Sequence, residues 1–221
     1  MLHLIVSEMT IILSMKYKKK GFQRPSLQDR PWNHGLKPWL LYQIIRYLTM
    51  RIKIFLVESN EDPICPVCGS PLKYRDHIPR IVKTRGGDVS WIHIRRLKCT
   101  NDQCRKLHRE LPDKLAPYKH FETDVISGVL EGNITPDTKG YEDHPCEAAM
   151  QSWHHSLNAN RLMIDGTLKS AGYRLLGFTE ELLTASISLL DQLKSDTADW
   201  LKIILRFIYN SGNFLRPVWD C

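Results

Sequence analysis

The sequence contains no long run of uncharged apolar residues. A helix that crosses a membrane needs about 18 or more of them, and the nearest candidate, residues 40–57, is interrupted by three basic side chains. The apolar segment at residues 1–15 contains Glu8, and it has neither the basic start nor the small-residue cleavage site of a secretory signal. These absences predict a cytoplasmic protein with no membrane partner. A membrane-surface role for residues 40–57 is the lesser alternative.

Cysteine is also scarce, with six residues in a chain of 221. That number is too small for a secreted disulfide scaffold of this length. Four of the six fall in two close pairs, Cys65 with Cys68 and Cys99 with Cys104. In a reducing compartment such pairs are typical of metal binding. Cys146 stands alone, and we expect it to be a small buried apolar residue.

The spacing of the cysteine pairs suits one tetrahedral ion. Cys65 and Cys68 are separated by two residues and followed by Gly69, which supplies the permissive backbone of a tight turn. Four residues separate Cys99 from Cys104, and 30 residues lie between the pairs, the length of a hairpin that would bring them together. Four thiolates close the coordination shell, so the sequence predicts one structural Zn²⁺ that supplies much of the folding free energy. Iron, or cysteines without a ligand, are the alternatives.

The hydrophobic pattern predicts an α+β fold, in which an N-terminal, β-rich zinc ribbon with four cysteine ligands precedes an all-helical, helix-turn-helix-like C-terminal region. Hairpin arms at residues 73–85 and 89–98 flank the turn signal Gly86-Gly87-Asp88, and residues 51–57 alternate like a first strand. Beyond residue 119 the apolar residues recur at helical spacing. The predicted helices are a short amphipathic one at 39–49, then 121–130, 146–162, and a hairpin of 179–194 and 196–208.

These elements divide the chain into three parts. Because Met50 directly precedes the first predicted strand, it is an alternative start of the protein, and the residues before it are then upstream sequence. The predicted parts are a flexible basic extension at 1–49, the zinc ribbon at 50–118, and the helical region at 119–221, with a helix-turn-helix-like segment at 119–160 and a C-terminal helical hairpin at 179–209.

Charge is distributed unevenly along the chain. Residues 61–120 hold 13 Lys and Arg against 7 Asp and Glu, whereas residues 121–221 hold 8 against 14. The basic part contains the cysteine pairs, so a polyanion would be attracted there first. The sequence therefore predicts DNA as the partner, with a solvated charged face as the plain alternative. The predicted phosphate contacts are Arg75, Arg80, Lys83, Arg85, Arg95, Arg96, Lys98, Arg105 and Lys106.

No set of acidic residues has the spacing of a catalytic site. Asp113, Asp124 and Asp165 are scattered, and surface solvation or helix capping accounts for them. The adjacent His154 and His155 would point in different directions on a helix, so we do not expect them to share a metal ion. We therefore expect no enzyme activity and no small-molecule substrate.

Two motifs in the ribbon carry a resemblance to known families. The knuckle at residues 65–69 (CPVCG) and the strand end at 95–99 (RRLKC) resemble the N-terminal zinc ribbons of bacterial insertion-sequence transposases. The run at 108–113 (HRELPD), followed by Pro117-Tyr118-Lys119, looks like a family of small bacterial ribbon proteins of unassigned function that is common in Firmicutes. The resemblance covers roughly residues 50–160. It implies that a helix-turn-helix-like segment, with Trp153 as its tryptophan, follows the ribbon.

The sequence departs from the transposases in two ways. Those enzymes carry a catalytic domain built around a sheet with three acidic residues, whereas the hundred or so residues after the ribbon here are predicted to be helical. A DNA-reading helix should be basic, yet residues 121–160 hold Lys139 against seven acidic residues. We therefore predict a transposase-related DNA-binding module without a catalytic domain. The alternative is a zinc-stabilised adaptor that binds a protein partner through its acidic helical C-terminus.

Overall fold

The computed structural model describes residues 39–42, 45–49, 55–59, 62–141, 144–176 and 179–216. These ranges contain strands first and helices afterwards, which confirms the predicted α+β class. The strands are β1 (Trp39–Tyr42), β2 (Ile45–Thr49), β3 (Phe55–Ser59), β4 (Leu72–Lys83), β5 (Val89–Cys99) and β6 (Leu107–Pro112). The helices are α1 (Thr123–Leu130), α2 (Glu147–Leu176), α3 (Glu181–Thr184), α4 (Leu189–Asp196) and α5 (Trp200–Asn210). Within these ranges, no helix combines the length and the apolar character needed to cross a membrane.

Strand β5 is the centre of the sheet. On one edge it pairs antiparallel with β4 along its whole length. Its other edge is shared, because β3 runs parallel to the first half of β5 and β6 runs antiparallel to the second half. Strand β1 adds parallel to β6, and β2 adds antiparallel to β3, which gives the order β1-β6-β5-β3-β2 with β4 beside β5. The strand that ends at Cys99 is therefore held on both edges.

The predicted hairpin forms between β4 and β5. Its turn contains a single 3-10 turn at Arg85–Gly87, in which Gly86 has φ 73° and Gly87 has φ 78°. Both values lie in the left-handed region that glycine enters without steric cost. The turn signal seen in the sequence is therefore confirmed, and the hairpin places the two cysteine pairs at the same end of the sheet.

The amphipathic helix predicted at residues 39–49 is wrong, because residues 39–42 form β1 and residues 45–49 form β2. Both segments are rich in aromatic and β-branched residues, which favour strands. The free edges of β6 and β3 also offer backbone groups with which a strand can pair. The rest of the predicted flexible extension, and Met50 itself, lie outside the described residues. The predicted first strand at 51–57 is found slightly later, as β3.

In the described part of residues 119–160, which excludes 142 and 143, no helix-turn-helix is formed. Sixteen residues, 131–146, connect α1 to α2, whereas that motif joins its helices through a turn of about three or four. Helix α1 is also almost entirely buried, so it presents no surface to a groove of DNA. The connection contains Pro136 and Pro145, which do not continue a helix, and Gly132 with φ 78°, which ends α1.

The predicted C-terminal helical hairpin is formed by α4 and α5, but its first arm is broken. Residues 185–188 interrupt it and leave α3 as a single turn. Helix α4 then begins anew because the Asp165 carboxylate accepts the backbone N–H groups of Leu189 at 2.6 Å and Leu190 at 3.2 Å. The Ser188 hydroxyl accepts a third N–H, from Asp191 at 3.2 Å. These contacts satisfy donors that a helix start leaves open.

The sheet and the helices share one hydrophobic core. Val57, Ile94 and Leu111 of the sheet are fully buried in the same cluster as Ile204 of α5 and Trp153 of α2. Trp153 is thus a core residue. Residues of the predicted ribbon and of the predicted helical region consequently pack against one another. A second, smaller cluster contains Cys65, Leu72, Leu97 and Cys99.

Candidate metal centre and basic surface

The four predicted ligands meet at one point. The sulfur atoms of Cys65, Cys68, Cys99 and Cys104 all lie within 4.8 Å of one another, and theirs is the one such group of metal-binding side chains in the part of the chain that the structure describes. The sulfurs of Cys65 and Cys104 are 3.8 Å apart, and those of Cys68 and Cys99 are 3.4 Å apart. None of the four forms a disulfide. Four cysteines this close together can hold a metal ion.

Backbone hydrogen bonds shape the two knuckles. In the first, Gly69 donates its N–H to the Cys65 carbonyl at 2.8 Å, and Gly69 takes φ 73° to close the turn. In the second, the N–H groups of Cys104 and Arg105 both reach the Asn101 carbonyl, at 3.0 and 2.9 Å. Arg105 has φ 48°, a conformation unusual for a residue with a side chain. The two turns point their sulfurs at a common centre.

The thiols of the centre differ in acidity. Burial raises the pKa of Cys65 far above its usual range and also raises the pKa of Cys99. Burial opposes ionisation of Cys68 as well, but hydrogen bonds from Ser70, Cys99 and Cys104 together outweigh it and lower the pKa of Cys68 to about 6. A buried thiolate needs a positive charge beside it, and a bound cation that displaces the thiol protons supplies one.

The geometry fits a tetrahedral thiolate site. Metal–sulfur bonds of about 2.3 Å separate the sulfurs of a tetrahedron by about 3.8 Å, and the two sulfur pairs quoted above lie at 3.8 and 3.4 Å. Cys65 and Cys99 are buried, while Cys68 and Cys104 are partly exposed, so an ion has a path of entry. Cys146 lies apart from this group and is exposed, which corrects the expectation that it is buried. It directly precedes the N-terminus of α2, beyond the core-facing part of that helix.

A histidine that the sequence analysis did not single out lies against the metal centre. The Nε2 atom of His108 is 3.3 Å from the sulfur of Cys65, and the His108 side chain is completely buried. Burial, and to a lesser extent the charge of Lys106, lowers the pKa of His108 to about 4, so the ring is neutral. The sequence feature that could have indicated His108 is its position two residues before Glu110, so that both lie on one face of the strand that follows Cys104.

Two of the side chains predicted to contact phosphate, Arg95 and Arg96, form ion pairs within the protein. The guanidinium of Arg95 is bound by the carboxylate of Glu110 and also by that of Glu58. Arg96 forms a two-pronged ion pair with Asp76. Hydrogen bonding to Arg96 lowers the pKa of Asp76, and the same bond raises the pKa of Arg96. These two guanidinium groups therefore stabilise the sheet.

Arg80, Arg85 and Lys83 are held by the segments that cover the hairpin. Arg80 donates to the backbone carbonyls of Ala116 and Lys119, and burial lowers its pKa to about 10. Arg85 donates to the Lys139 carbonyl at 3.1 Å, and its guanidinium lies 5.0 Å from the centre of the Tyr141 ring. The Lys83 ammonium lies 5.5 Å from the centre of the Phe121 ring.

The remaining predicted contacts lie near the cysteines. Arg105 is exposed and pairs with Asp102 at 3.0 Å, and Arg75 is exposed and lies 3.7 Å from Asp76. Lys106 belongs to the second knuckle, where its carbonyl accepts the N–H of Cys99 at 2.9 Å. Lys98 is exposed on β5.

Lys98 has a basic neighbour that the sequence analysis left out. Strand β4 places Lys73 directly opposite Lys98, and both side chains are exposed. Directly opposed residues of an antiparallel pair have Cβ atoms about 4.5–5.5 Å apart, a distance at which like charges are destabilising. Two residues along β5, Arg96 is opposed by Arg109 of β6. Residues two apart share a face of the sheet, so Lys73, Lys98, Arg96 and Arg109 lie on one face, where Asp76 is paired with Arg96.

Each of the three scattered aspartates has a cationic partner of its own. Asp165 caps α4 and pairs with Lys169 at 3.0 Å, which confirms the capping interpretation for that residue. Asp124 is exposed and binds Lys202 at 2.7 Å. Asp113 is partly buried beside Arg206 of α5, with the nearest charged atoms 3.7 Å apart.

Comparison with known proteins identifies one domain. A family model described as "Domain of unknown function (DUF6431)" matches residues 65–153, so a DUF6431 domain is present in the chain. The match begins at Cys65, the first cysteine of the metal centre, and ends at Trp153 in α2. No curated protein and no solved structure matches the sequence. The family description names no function, and none of the comparisons shows a similarity to transposases.

Proposed function

We propose that this chain is a zinc-ribbon protein that binds the phosphates of nucleic acids with the basic end of its sheet. The observation that carries the proposal is the exposed pair of Lys73 and Lys98. They lie directly opposite each other on β4 and β5, with no carboxylate ion-paired to either among the described residues. Folding alone gains nothing from opposed like charges. A bound phosphate would relieve their repulsion and release condensed counterions.

The metal in this proposal is one structural Zn²⁺ bound by Cys65, Cys68, Cys99 and Cys104. The four sulfurs lie within 4.8 Å of one another, close enough to share one ion, and thiolates favour zinc over the hard cations. A shell of four protein ligands leaves no position for a reacting water, which argues for a structural and not a catalytic ion. The ion would fix both knuckles and with them the ends of β4 and β5 that carry the two lysines.

The relation to transposase ribbons remains part of the proposal. It rests on the knuckle at residues 65–69 and the strand end at 95–99, whose two arginines are used inside the sheet. The proposed phosphate surface therefore consists of Lys73 and Lys98 with Lys106 and Arg105 of the adjacent knuckle. It does not depend on Arg95 or Arg80, because both guanidinium groups are bound within the fold.

The test is fluorescence anisotropy of a labelled DNA duplex titrated with zinc-loaded protein at several salt concentrations. The double variant Lys73→Glu and Lys98→Glu is compared with a control of equal charge change, Lys139→Glu and Arg174→Glu, two exposed positions away from the cysteines. We expect the first variant to lose binding and the control to retain it. Loss of two phosphate contacts should make the negative slope of log K against log salt shallower by about 2. Equal loss in both variants, or no binding by the parent at low salt, would overturn the proposal.

A second candidate function, a protein adaptor, is favoured by one observation on α2. Leu162 is 89% exposed in the middle of that helix, and Tyr173 is also exposed. Large exposed apolar side chains are a feature of protein contact surfaces. Under this alternative the charge reversal at Lys73 and Lys98 leaves partner binding intact, whereas Leu162→Arg abolishes it.

A further inference from the structure

We infer that His108 is a positioning residue of the metal centre, which donates its Nε2–H to the Cys65 sulfur and holds that thiolate toward the ion. The inference rests on the proposed metal site. Such a contact gives a physical reason for a histidine to begin the run at residues 108–113 (HRELPD).

The contact is well defined in the fold. Nε2 of His108 lies 3.3 Å from Sγ of Cys65, within the range of an N–H···S hydrogen bond, and both side chains are 0% exposed. Strand β6 places His108 directly opposite Leu97 of β5, a residue of the small cluster that surrounds the cysteines. The backbone of two paired strands therefore fixes the ring beside the first knuckle.

The surroundings of the ring determine which nitrogen carries the proton. The Nδ1 atom is buried and has no hydrogen-bond partner in the described part of the chain. A proton there would be a buried donor without an acceptor, and Nε2 would then direct its lone pair at a thiolate. With the proton on Nε2 instead, Nδ1 carries no unpartnered donor, and Nε2–H can donate to the thiolate sulfur, which accepts hydrogen bonds.

His108 supports the centre without being one of its ligands. The group of ligand atoms that lie within 4.8 Å of one another contains the four cysteine sulfurs and no histidine nitrogen. A hydrogen bond to Cys65 orients its sulfur and draws electron density from it. Groups that orient metal ligands in this way commonly change metal affinity by about 10–100-fold when they are removed.

The test uses full-length protein loaded with Co²⁺, whose sulfur-to-metal charge-transfer absorption reports the electron density of the thiolates. The variants are His108→Leu, which removes the donor, and His108→Gln, whose amide can restore an N–H. The control is His77→Leu, a change at an exposed histidine of β4. Zinc affinity is measured in parallel by competition with a chromophoric chelator.

We expect His108→Leu to shift the charge-transfer band to longer wavelength and to weaken zinc binding about 10–100-fold. The shift follows because a thiolate without its hydrogen bond gives up an electron more easily. His108→Gln should move both readouts back toward the parent, and His77→Leu should change neither. If hydrogen exchange shows that the cysteine end of His108→Leu is unfolded, His108→Phe, which keeps a ring but has no N–H donor, takes its place, and a charge-transfer band at the parent's wavelength in that variant would overturn the inference.

Two results would overturn the inference, and they are distinguishable. An unchanged spectrum and unchanged zinc affinity in His108→Leu would show that the ring only fills space, while the metal site itself stands. Absence of a tetrathiolate cobalt spectrum in the parent protein would overturn the metal site and the role of His108 together.

Discussion

Glu110 holds Arg95 through both oxygens of a carboxylate that is completely buried. Arg95 Nη2 lies 2.8 Å from Oε1 of Glu110, and Arg95 Nε binds the other oxygen. The backbone N–H of Ser59 reaches the same carboxylate at 3.3 Å. One acidic side chain thus connects β6 to β5 and to β3. A charge taken out of water to this degree is tolerated only when it is paired and hydrogen-bonded.

The first prediction concerns this pair. Glu110→Ala should destabilise the protein by about 3–5 kcal/mol, because it leaves the Arg95 guanidinium, itself 13% exposed, without its main partner. The measurement is urea unfolding followed by tryptophan fluorescence and circular dichroism. Charge reversal at Arg95 should be equally destructive, so a loss of DNA binding by such a variant would report unfolding and not a lost phosphate contact.

Glu58 provides the matched control for the first prediction. It binds the same guanidinium from β3, but its side chain is 37% exposed. Exposed ion pairs contribute roughly 0–1 kcal/mol, so Glu58→Ala should fall in that range. Similar losses for the two variants would contradict the assignment of Glu110 as the buried partner.

The second prediction concerns the pH dependence of stability. Asp113 is partly buried beside Arg206, and burial raises its pKa to about 6, from about 4 in the unfolded chain. Between these values the native state holds the proton more tightly, so the contribution of Asp113 to the free energy of unfolding falls as the pH rises. The asparagine of Asp113→Asn does not titrate, so this contribution is absent from the variant. Relative to the parent it should therefore gain stability from pH 4 to pH 7, by roughly 2–3 kcal/mol.

Asp76 is the control for Asp113, because its pKa is shifted in the opposite direction. Hydrogen bonding to Arg96 lowers the pKa of Asp76 in the native state. Its contribution to stability is therefore present above the unfolded pKa of about 4 and lost as the pH falls below it. Asp76→Asn should lose stability relative to the parent on going from acid to neutral pH. Both variants are measured by thermal unfolding across a pH series. If the stability of Asp113→Asn and that of the parent change in parallel with pH, the burial of Asp113 is contradicted.

The third prediction uses the two glycines of the hairpin turn. Both have positive φ, so alanine strains the backbone at either position. At Gly87, however, a new Cβ would lie 2.0 Å from the Cδ2 atom of His144 and 2.8 Å from its Cβ, whereas at Gly86 the nearest atom is 3.7 Å away. Gly87→Ala should therefore cost about 1–3 kcal/mol more than Gly86→Ala, since the loop before α2 must move. Equal losses in thermal unfolding would show that this loop does not pack on the turn.

Much of the metal centre could be predicted from the sequence, because its signal is local. The spacing within each cysteine pair determines a knuckle, and the intervening hairpin with Gly86 and Gly87 follows from short-range turn chemistry. The supporting residues could not be recognised in the same way. His108 and Glu110 act on Cys65 and Arg95, which are far away in sequence, and only the pairing of β6 with β5 brings them together.

The residues of the run at 108–113 have separate structural roles that the sequence motif does not indicate. His108 contacts the metal centre, Glu110 binds Arg95, Leu111 is fully buried in the main core, and Asp113 lies beside Arg206 of α5. Each residue connects β6 to a different part of the molecule. The wrong expectation of a helix at 39–49 has a similar origin: the composition of these residues is compatible with strands, but only the edges of β6 and β3, which are distant in sequence or formed later in the chain, determine that strands form.

The fourth prediction is that metal removal unfolds the cysteine end and leaves the main core intact. The sequence alone suggested that the metal supplies much of the folding free energy, as it does in small isolated ribbons. Here the cluster around Cys65 and Cys99 is separate from the core in which Ile94 packs with the helices. A chelator should therefore increase hydrogen exchange at residues 62–72 and 99–107, while the helical circular dichroism persists. Cys65→Ser should reproduce this local opening, and Cys146→Ser, at an exposed cysteine outside the centre, should not. A cooperative loss of the helical signal on chelation would instead show that the two clusters fold as one unit.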